Sequence, residues 1–142
     1  MATEIERKFL VRRELLPELP PPFELTQGYL SVDPVVRVRL RTSPLGVQSA
    51  ALTVKGRGLL TRAEFEYEIP PADARELLAL CGRKLSKRRY LIGRWELDHF
   101  ADRDLWLAEI ELGDESEPFE RPAWLGDEVT TDPAYANARL AR

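Results

Sequence analysis

The stretch VVRVRLR (residues 35–41) decides which fold the chain is expected to adopt, because ionic and aliphatic side chains alternate along it from Val36 onward. In a β-strand, successive side chains point to opposite faces. One face of this strand therefore carries Arg37, Arg39 and Arg41, and the other carries only valine and leucine. Such a strand needs an ionic environment on one side and an apolar environment on the other.

The same separation recurs in later segments, and the sign of the charge differs from segment to segment. RAEFEYEI (62–69) carries mostly glutamate on its ionic face, LWLAEIEL (105–112) carries a pair of glutamates, and SKRRY (86–90) carries lysine and arginine. An ordinary antiparallel sheet with one solvated face would also alternate, but solvated faces usually include Ser, Thr, Asn and Gln. Faces that are sorted by sign suit a site in which basic residues bind a polyanion and carboxylates bind a hard divalent cation.

Period-two alternation covers most of the chain and predicts a mainly β (α+β) fold. The predicted strands span residues 3–11, 24–31, 35–42, 49–55, 62–69, 87–92, 94–101 and 105–112. ADARELLALCG (72–82) predicts a helix that ends with Gly82 as its C-cap, and one helical turn is expected at 12–16. DPAYANARLA predicts a C-terminal helix that is capped by Asp132 and has Pro133 at its first position.

Composition limits the classes of function. The 142 residues suit one domain over residues 1–142. The net charge is −3, from 21 basic and 24 acidic residues, so the basic excess typical of nucleic-acid binding is missing and nucleic acid is an unlikely partner. The single cysteine, Cys81, cannot form an internal disulfide, and no apolar run has the length of a membrane span or signal peptide. We therefore expect a cytoplasmic protein that does not bind a membrane.

The N-terminal stretch EIERKFL (4–10) places Glu4, Glu6 and Lys8 on one face of a strand. This E-x-E-x-K pattern and the segments that follow it resemble the CYTH, or triphosphate tunnel metalloenzyme, superfamily in motif and in order. The matching segments are QGYL (27–30), VRVRLR (36–41), LTVKG (52–56), RAEFEYEI (62–69), KRRY (87–90), WELDHF (95–100), LAEIEL (107–112) and VTTDPAYANARLA (129–141). The resemblance spans nearly the whole chain, which looks like a short stand-alone member of bacterial type.

The resemblance implies an eight-stranded antiparallel β-barrel that forms a charged tunnel, with a few helices including a C-terminal one. Ionic faces would then point inward and apolar faces outward. The apolar faces need cover from helices or from a second copy of the chain, so a homodimer is possible. The residues expected to be covered are Val36, Val38, Phe65, Tyr67, Trp95 and Trp106.

The resemblance also implies metal-dependent hydrolysis of a small-molecule triphosphate, with Mg²⁺ or Mn²⁺ as cofactor. The residues implied as metal ligands are Glu4, Glu6, Glu109 and Glu111. Those implied to bind phosphate are Lys8, Arg37, Arg39, Lys55, Arg62, Lys87 and Arg89. Glu4, Glu6 and Lys8 would be the catalytic group, while a further set would orient the basic residues, bind a second metal or position water: Glu64, Glu66 and Asp98.

The family includes several activities that share one triphosphate cradle. Inorganic triphosphate (tripolyphosphate) is the expected substrate here, because the sequence is short and carries no signature of a nucleobase pocket. The alternatives are a nucleoside or thiamine triphosphatase, an adenylyl cyclase, and a non-catalytic module that binds polyphosphate or a triphosphate. We expect only structural roles for residues outside the motif set: Arg41, Arg57, Glu68, Cys81 and His99.

Overall fold

Eight antiparallel strands close into a barrel in the computed structural model, which describes residues 2–142. They are β1 (Thr3–Val11), β2 (Phe23–Val32), β3 (Val35–Thr42), β4 (Gln48–Lys55), β5 (Thr61–Ile69), β6 (Arg83–Ile92), β7 (Trp95–Phe100) and β8 (Leu105–Glu111). Their order around the barrel is β5-β4-β3-β2-β6-β7-β8-β1, and pairing of β1 with β5 completes the ring. The predicted fold class is confirmed.

Strand β1 closes the barrel because it pairs with three other strands along its length. Thr3–Ile5 pairs with β5, and Glu6–Leu10 pairs with β8. Near its end, Phe9 and Val11 pair with a ninth strand, β9 (Leu125–Glu128), which the sequence did not predict. The inward-facing charges of β1 consequently lie between those of β5 and β8.

The helices are shorter than predicted. Helix α1 (Pro71–Leu80) ends before Gly82, because Cys81 has an extended backbone (φ −79°, ψ 131°); the predicted glycine C-cap is wrong. The C-terminal segment contains a 3-10 helix (Pro133–Tyr135) and α2 (Asn137–Leu140), separated by the extended backbone of Ala136. Asp132 caps the first of these by accepting a hydrogen bond from the backbone N–H of Ala134, as predicted. A further 3-10 turn lies at Arg13–Leu15.

The apolar outer face of the barrel is covered unevenly. Helix α1 packs on β3 and β4, where Val38 is fully buried. On the opposite side, Trp95 is buried with Phe9 and Trp124. Phe65 and Tyr67 remain 45% and 59% exposed, so no helix within residues 2–142 covers them, and the homodimer remains a prediction.

One end of the barrel interior is apolar. Tyr29, Leu85, Phe100 and Leu107 pack together there, and residues 138–141 lie against them. The charged part of the interior therefore begins beyond this cluster. Among residues 2–142, no helix has both the length and the apolar character needed to cross a membrane.

Candidate active site

The barrel encloses a cavity of about 500 Å³ whose walls are mostly charged. It brings together all but three of the site residues expected from the sequence. Those that line it are Glu4, Glu6, Arg37, Arg39, Lys55, Arg62, Glu64, Glu66, Arg89, Glu109 and Glu111. Alternation along each strand accounts for this, because the ionic faces point inward and the apolar faces outward.

Lys8, Lys87 and Asp98 do not line this cavity. Lys8 lines a small adjoining pocket with Glu4, Glu6 and Arg62, whereas the side chains of Lys87 and Asp98 are fully enclosed. The Nζ of Lys8 donates a hydrogen bond to the backbone carbonyl of Tyr135 at 2.9 Å. The Nζ of Lys87 lies 2.7 Å from Asp98 Oδ2 and donates to Asn137 Oδ1 at 3.0 Å. Both lysines therefore contact the C-terminal segment.

Arginine side chains form the cationic wall of the cavity. Burial lowers the pKa of Arg39 to about 9, and the neighbouring charges of Arg37 and Arg89 add to this effect. Arg39 donates from Nε to the neutral Gln27 Oε1 at 2.8 Å. Arg37 Nε has no hydrogen-bond partner among residues 2–142, and Arg37 Nη2 lies 4.0 Å from Glu66 Oε2. Buried charges normally have paired counterions. The cationic wall is therefore suited to bind an anion.

Arg89 is held more firmly than the other two arginines. It donates from Nε and Nη2 to the two oxygens of Asp98 at 2.8 and 2.9 Å, and from Nη1 to Glu96 Oε2 at 2.9 Å. Burial alone would lower the pKa of Arg89, but Asp98 and Glu96 raise it well above its ordinary value. Paired contacts of this kind fix the plane of the guanidinium. Arg89 is thus oriented before any ligand binds.

Carboxylates from three strands meet beside this wall. Glu6, Glu96 and Glu109 each offer an oxygen atom, and these atoms lie within 4.8 Å of one another. Glu109 Oε1 is buried and accepts no hydrogen bond from residues 2–142, although Lys8 Nζ lies 3.6 Å away. Clustered carboxylate oxygens are the ligands that Mg²⁺ and Mn²⁺ prefer. The cluster therefore fits a hard divalent cation.

Two of these carboxylates have opposite pKa shifts. Burial raises the pKa of Glu6 well above its usual range, and the negative charges of Glu109 and Glu4 raise it further. Burial acts in the same direction on Glu109, but Lys8, Lys87 and Arg89 outweigh it and hold its pKa well below the usual range. A cation at this cluster would favour loss of the proton from Glu6.

Glu4 and Glu111 line the same cavity without joining the three-carboxylate cluster. Both oxygens of Glu4 accept hydrogen bonds from Lys55 Nζ, at 3.2 and 3.1 Å, and Arg62 Nε lies 3.2 Å from one of them. Lys55 also lies 3.2 Å from Glu64. Glu111 is opposite Glu6 in the pairing of β1 with β8 and is exposed. The basic partners of Glu4 thus already neutralise it.

The cavity contains residues that the sequence did not assign to the site. Glu96 lies on the ionic face of WELDHF, but only the register, which pairs it with Glu109, shows that it belongs to the cluster. Arg41 lines the cavity although a structural role was expected. Arg83 shares the face of Lys87 and Arg89, a signal that could have identified it. Other unassigned residues with polar side chains in the lining are Tyr29, Asp33, Asn137 and Arg139.

Comparison with known proteins agrees with this architecture. A family model for the CYTH domain matches residues 2–138. The chain is 39% identical to an inorganic triphosphatase of Acetivibrio thermocellus, covering 100% of this chain and 95% of that protein. It is also 39% identical to an inorganic triphosphatase of Nitrosomonas europaea, covering 98% and 97%.

Solved structures give the same result. A crystal structure of an inorganic triphosphatase aligns with a TM-score of 0.62 at 35% identity, covering 99% of this chain and 95% of that one. The family match, the two relatives and this structure each extend over nearly the whole barrel. The chain therefore belongs to the CYTH domain family.

Proposed function

We propose that this protein hydrolyses inorganic triphosphate (tripolyphosphate) in the barrel cavity, with Mg²⁺ or Mn²⁺ as cofactor. The observation that carries the proposal is the buried arginine wall next to the carboxylates of Glu6, Glu96 and Glu109. Arg39 donates to a neutral amide, and Arg37 contacts a carboxylate only at the 4.0 Å separation from Glu66. A polyphosphate supplies the missing negative charge, and its cation would use the carboxylates. Both relatives are named inorganic triphosphatases.

The divalent cation would be held first by Glu6, Glu96 and Glu109, the three residues with oxygens within 4.8 Å of one another. Glu111, opposite Glu6, lines the cavity close to this cluster and can complete the set. Glu4 can also become a ligand of the cation if its carboxylate gives up its contacts with Lys55 and Arg62. A bound divalent cation would act as a Lewis acid on phosphate oxygens.

The basic residues would bind the triphosphate and stabilise the charge that spreads over the transferred phosphoryl group. Arg37, Arg39 and Arg89 form the buried part of this cradle, and Lys55 and Arg62 line the same cavity. Water adds to the terminal phosphorus, the bond to the bridging oxygen breaks, and phosphate and diphosphate leave. Because Arg89 is already fixed by Asp98, it contributes little reorganisation when the substrate binds.

Lys8 and Lys87 have a less direct role in this proposal. Neither lysine lines the barrel cavity, and each ammonium contacts the C-terminal segment. Their charges still act on Glu109, whose pKa they lower. We infer that they stabilise the ionised carboxylate and reach phosphate only if those contacts to the C-terminal segment change. Glu64 and Glu66, with Asp98, orient the basic residues.

The composition of the lining favours an inorganic substrate over a nucleotide. Among residues 2–142, Tyr29 is the one aromatic residue that lines the cavity, and it packs in the apolar cluster at the barrel end. Strands from both ends of the sequence build the cavity, so we infer that residues 1–142 act as one domain. We place the reaction in the cytoplasm, which is consistent with the lone, buried Cys81.

The test is product analysis with three substrates. The protein is incubated with Mg²⁺ or Mn²⁺ and, separately, tripolyphosphate, ATP and thiamine triphosphate; phosphate, diphosphate and cyclic AMP are then quantified. We expect phosphate release from tripolyphosphate to be at least about tenfold faster than from either other compound, and to stop when the metal is chelated.

Other outcomes identify the alternatives. Diphosphate with cyclic AMP from ATP would make the protein a cyclase, and preferred hydrolysis of ATP or thiamine triphosphate would assign it to the other triphosphatases. Tight binding of tripolyphosphate without product would make it a non-catalytic binding module. Each of these results contradicts the proposal.

A further inference from the structure

Gln27 is an uncharged polar side chain that is fully buried beside the charged wall of the barrel cavity. It lies on β2 opposite Arg39 of β3, and its exposed fraction is 0%. Arg39 and Tyr29 line the cavity, whereas Gln27 does not. Any influence of Gln27 on a ligand in the cavity must therefore pass through the side chains that it contacts.

The hydrogen bonds of Gln27 allow one orientation of its amide. A guanidinium has donors and no acceptor, so the Nε of Arg39 must face the amide oxygen, and it donates to Oε1 at 2.8 Å. The amide nitrogen then donates to the hydroxyl oxygen of Tyr29 at 3.1 Å. Both ends of the amide are used, and the network decides which end faces Arg39.

Arg39 differs from other buried cations of the barrel in the charge of its partner. Lys55 and Arg89 each contact a carboxylate, which orients the cation but also neutralises it. Among residues 2–142, Gln27 is the one hydrogen-bond partner of the Arg39 side chain. The amide therefore orients Arg39 without cancelling its charge.

We propose that Gln27 is a positioning residue for triphosphate binding: its neutral amide holds Arg39 in place and leaves the charge of Arg39 to the substrate. This inference rests on the proposed function, because it assumes that Arg39 contacts the triphosphate. Burial lowers the pKa of Arg39 to about 9, which agrees with a buried guanidinium that has no carboxylate in direct contact. A carboxylate in place of the amide would compete with the substrate for Arg39 and repel the incoming anion.

A buried amide can also serve the fold alone, by satisfying its own polar atoms and those of its neighbours. Replacement by glutamate separates the two roles, because the two side chains have the same shape. In Gln27→Glu, one carboxylate oxygen can accept from Arg39 and the other from the hydroxyl of Tyr29, whose hydrogen is free to rotate. Gln27→Met does the reverse, since it adds no charge and removes both hydrogen bonds.

The test makes three measurements on the wild type and both variants: the affinity for tripolyphosphate by titration calorimetry with the metal chelated, kcat and KM with Mg²⁺, and Tm without ligand. We expect Gln27→Glu to weaken tripolyphosphate binding about tenfold or more, because the added carboxylate neutralises Arg39. Gln27→Met should bind more tightly than Gln27→Glu but lose kcat, because Arg39 is no longer fixed. Its Tm should be the lower of the two, so the order in affinity is the reverse of the order in Tm.

Gln48→Glu is the matched control for the added charge. Gln48 is exposed on β4 and, like Gln27, accepts a hydrogen bond from an arginine, in this case Arg75 of helix α1. Because this pair does not line the barrel cavity, affinity, kcat and KM should match the wild type.

The outcomes separate this inference from the proposed function. If affinity falls in step with Tm, with Gln27→Met the weaker in both, Gln27 serves the fold alone; wild-type affinity in Gln27→Glu would overturn the inference as well. Either result leaves triphosphate hydrolysis by the wild type standing. If the wild type binds tripolyphosphate but hydrolyses none, the proposed reaction fails and the affinities still test Gln27. A wild type that does not bind tripolyphosphate contradicts both proposals.

Discussion

The ammonium group of Lys87 is fully enclosed in the barrel, and so is the carboxylate of Asp98 beside it. Burial lowers the pKa of Lys87 to about 7; Arg89 and Arg39 act in the same direction, and Asp98 opposes them. An unfolded lysine keeps its proton up to about pH 10.4. The folded protein therefore carries a cation that destabilises it, as expected for a residue kept for its charge and not for packing.

The lowered pKa of Lys87 predicts that the stability of the protein increases with pH. Between pH 7 and pH 9 the unfolded chain holds a proton on Lys87 that the folded chain has released, so the free energy of unfolding rises with pH. The contribution is at most about 1.4 kcal/mol per pH unit. We expect Lys87→Met to flatten the rise of Tm over this interval, as measured by thermal melts at each pH. Lys84→Met, at an exposed position on β6, should keep the wild-type slope; equal slopes in all three proteins would contradict the assignment.

At the scale of elements, helix α1 and the residue that follows it approach β2 closely at Gly28. A Cβ atom on Gly28 would lie 2.7 Å from the Sγ of Cys81 and 2.9 Å from the Cδ2 of Leu78. There is no room for a side chain at position 28, so a larger residue would force the helix and the strand apart. Cys81 has the packing role expected from the sequence, with its thiol directed to the carbonyl of Leu77.

The close approach predicts the effect of one methyl group. We expect Gly28→Ala to lower the free energy of unfolding by about 1–3 kcal/mol, because the added Cβ overlaps two packed side chains. Gly82→Ala is the control on the same connection: its Cβ would meet no atom within 4 Å, so its effect should be small. Denaturant unfolding of both variants measures the difference. Equal free energies of unfolding for Gly28→Ala and Gly82→Ala would contradict the close packing of α1 on β2.

The elements show which parts of the fold the sequence could predict. Period-two alternation located all eight barrel strands, because it reports the environment of each face; the bounds of Val35–Thr42 were as predicted, whereas β6 begins at Arg83 and not at the predicted residue 87. It could not locate β9, since Leu125–Glu128 has little alternation and forms a strand through its pairing with Phe9 and Val11. The C-terminal helix was predicted as one piece, but Ala136 is extended and divides it, a conformation for which alanine carries no local signal.

At the scale of the whole molecule, closure of the barrel decides which charges meet. Strand β8 lies between β7 and β1, so Glu96 and Lys8 both face Glu109 in register. The sequence predicted that these residues point inward, but the alternation of side chains does not by itself show which residues of neighbouring strands lie opposite one another. For that reason Glu96 was not predicted, and the contacts of Glu4 with Lys55 and Arg62 were not foreseen.

The most direct test of the account is the rate of phosphate release from tripolyphosphate, measured with Mg²⁺ and with the metal chelated. It is made on the wild-type protein, on Glu6→Gln and on the control Glu24→Gln, whose exposed carboxylate pairs with Arg88 outside the barrel. We expect Glu6→Gln to reduce the metal-dependent rate by roughly 100-fold or more without lowering Tm in the absence of metal, because Glu6 is repelled by Glu109 and Glu4. Glu24→Gln should match the wild type. A wild-type rate that survives chelation, or a Glu6→Gln rate equal to that of the control, would contradict the account.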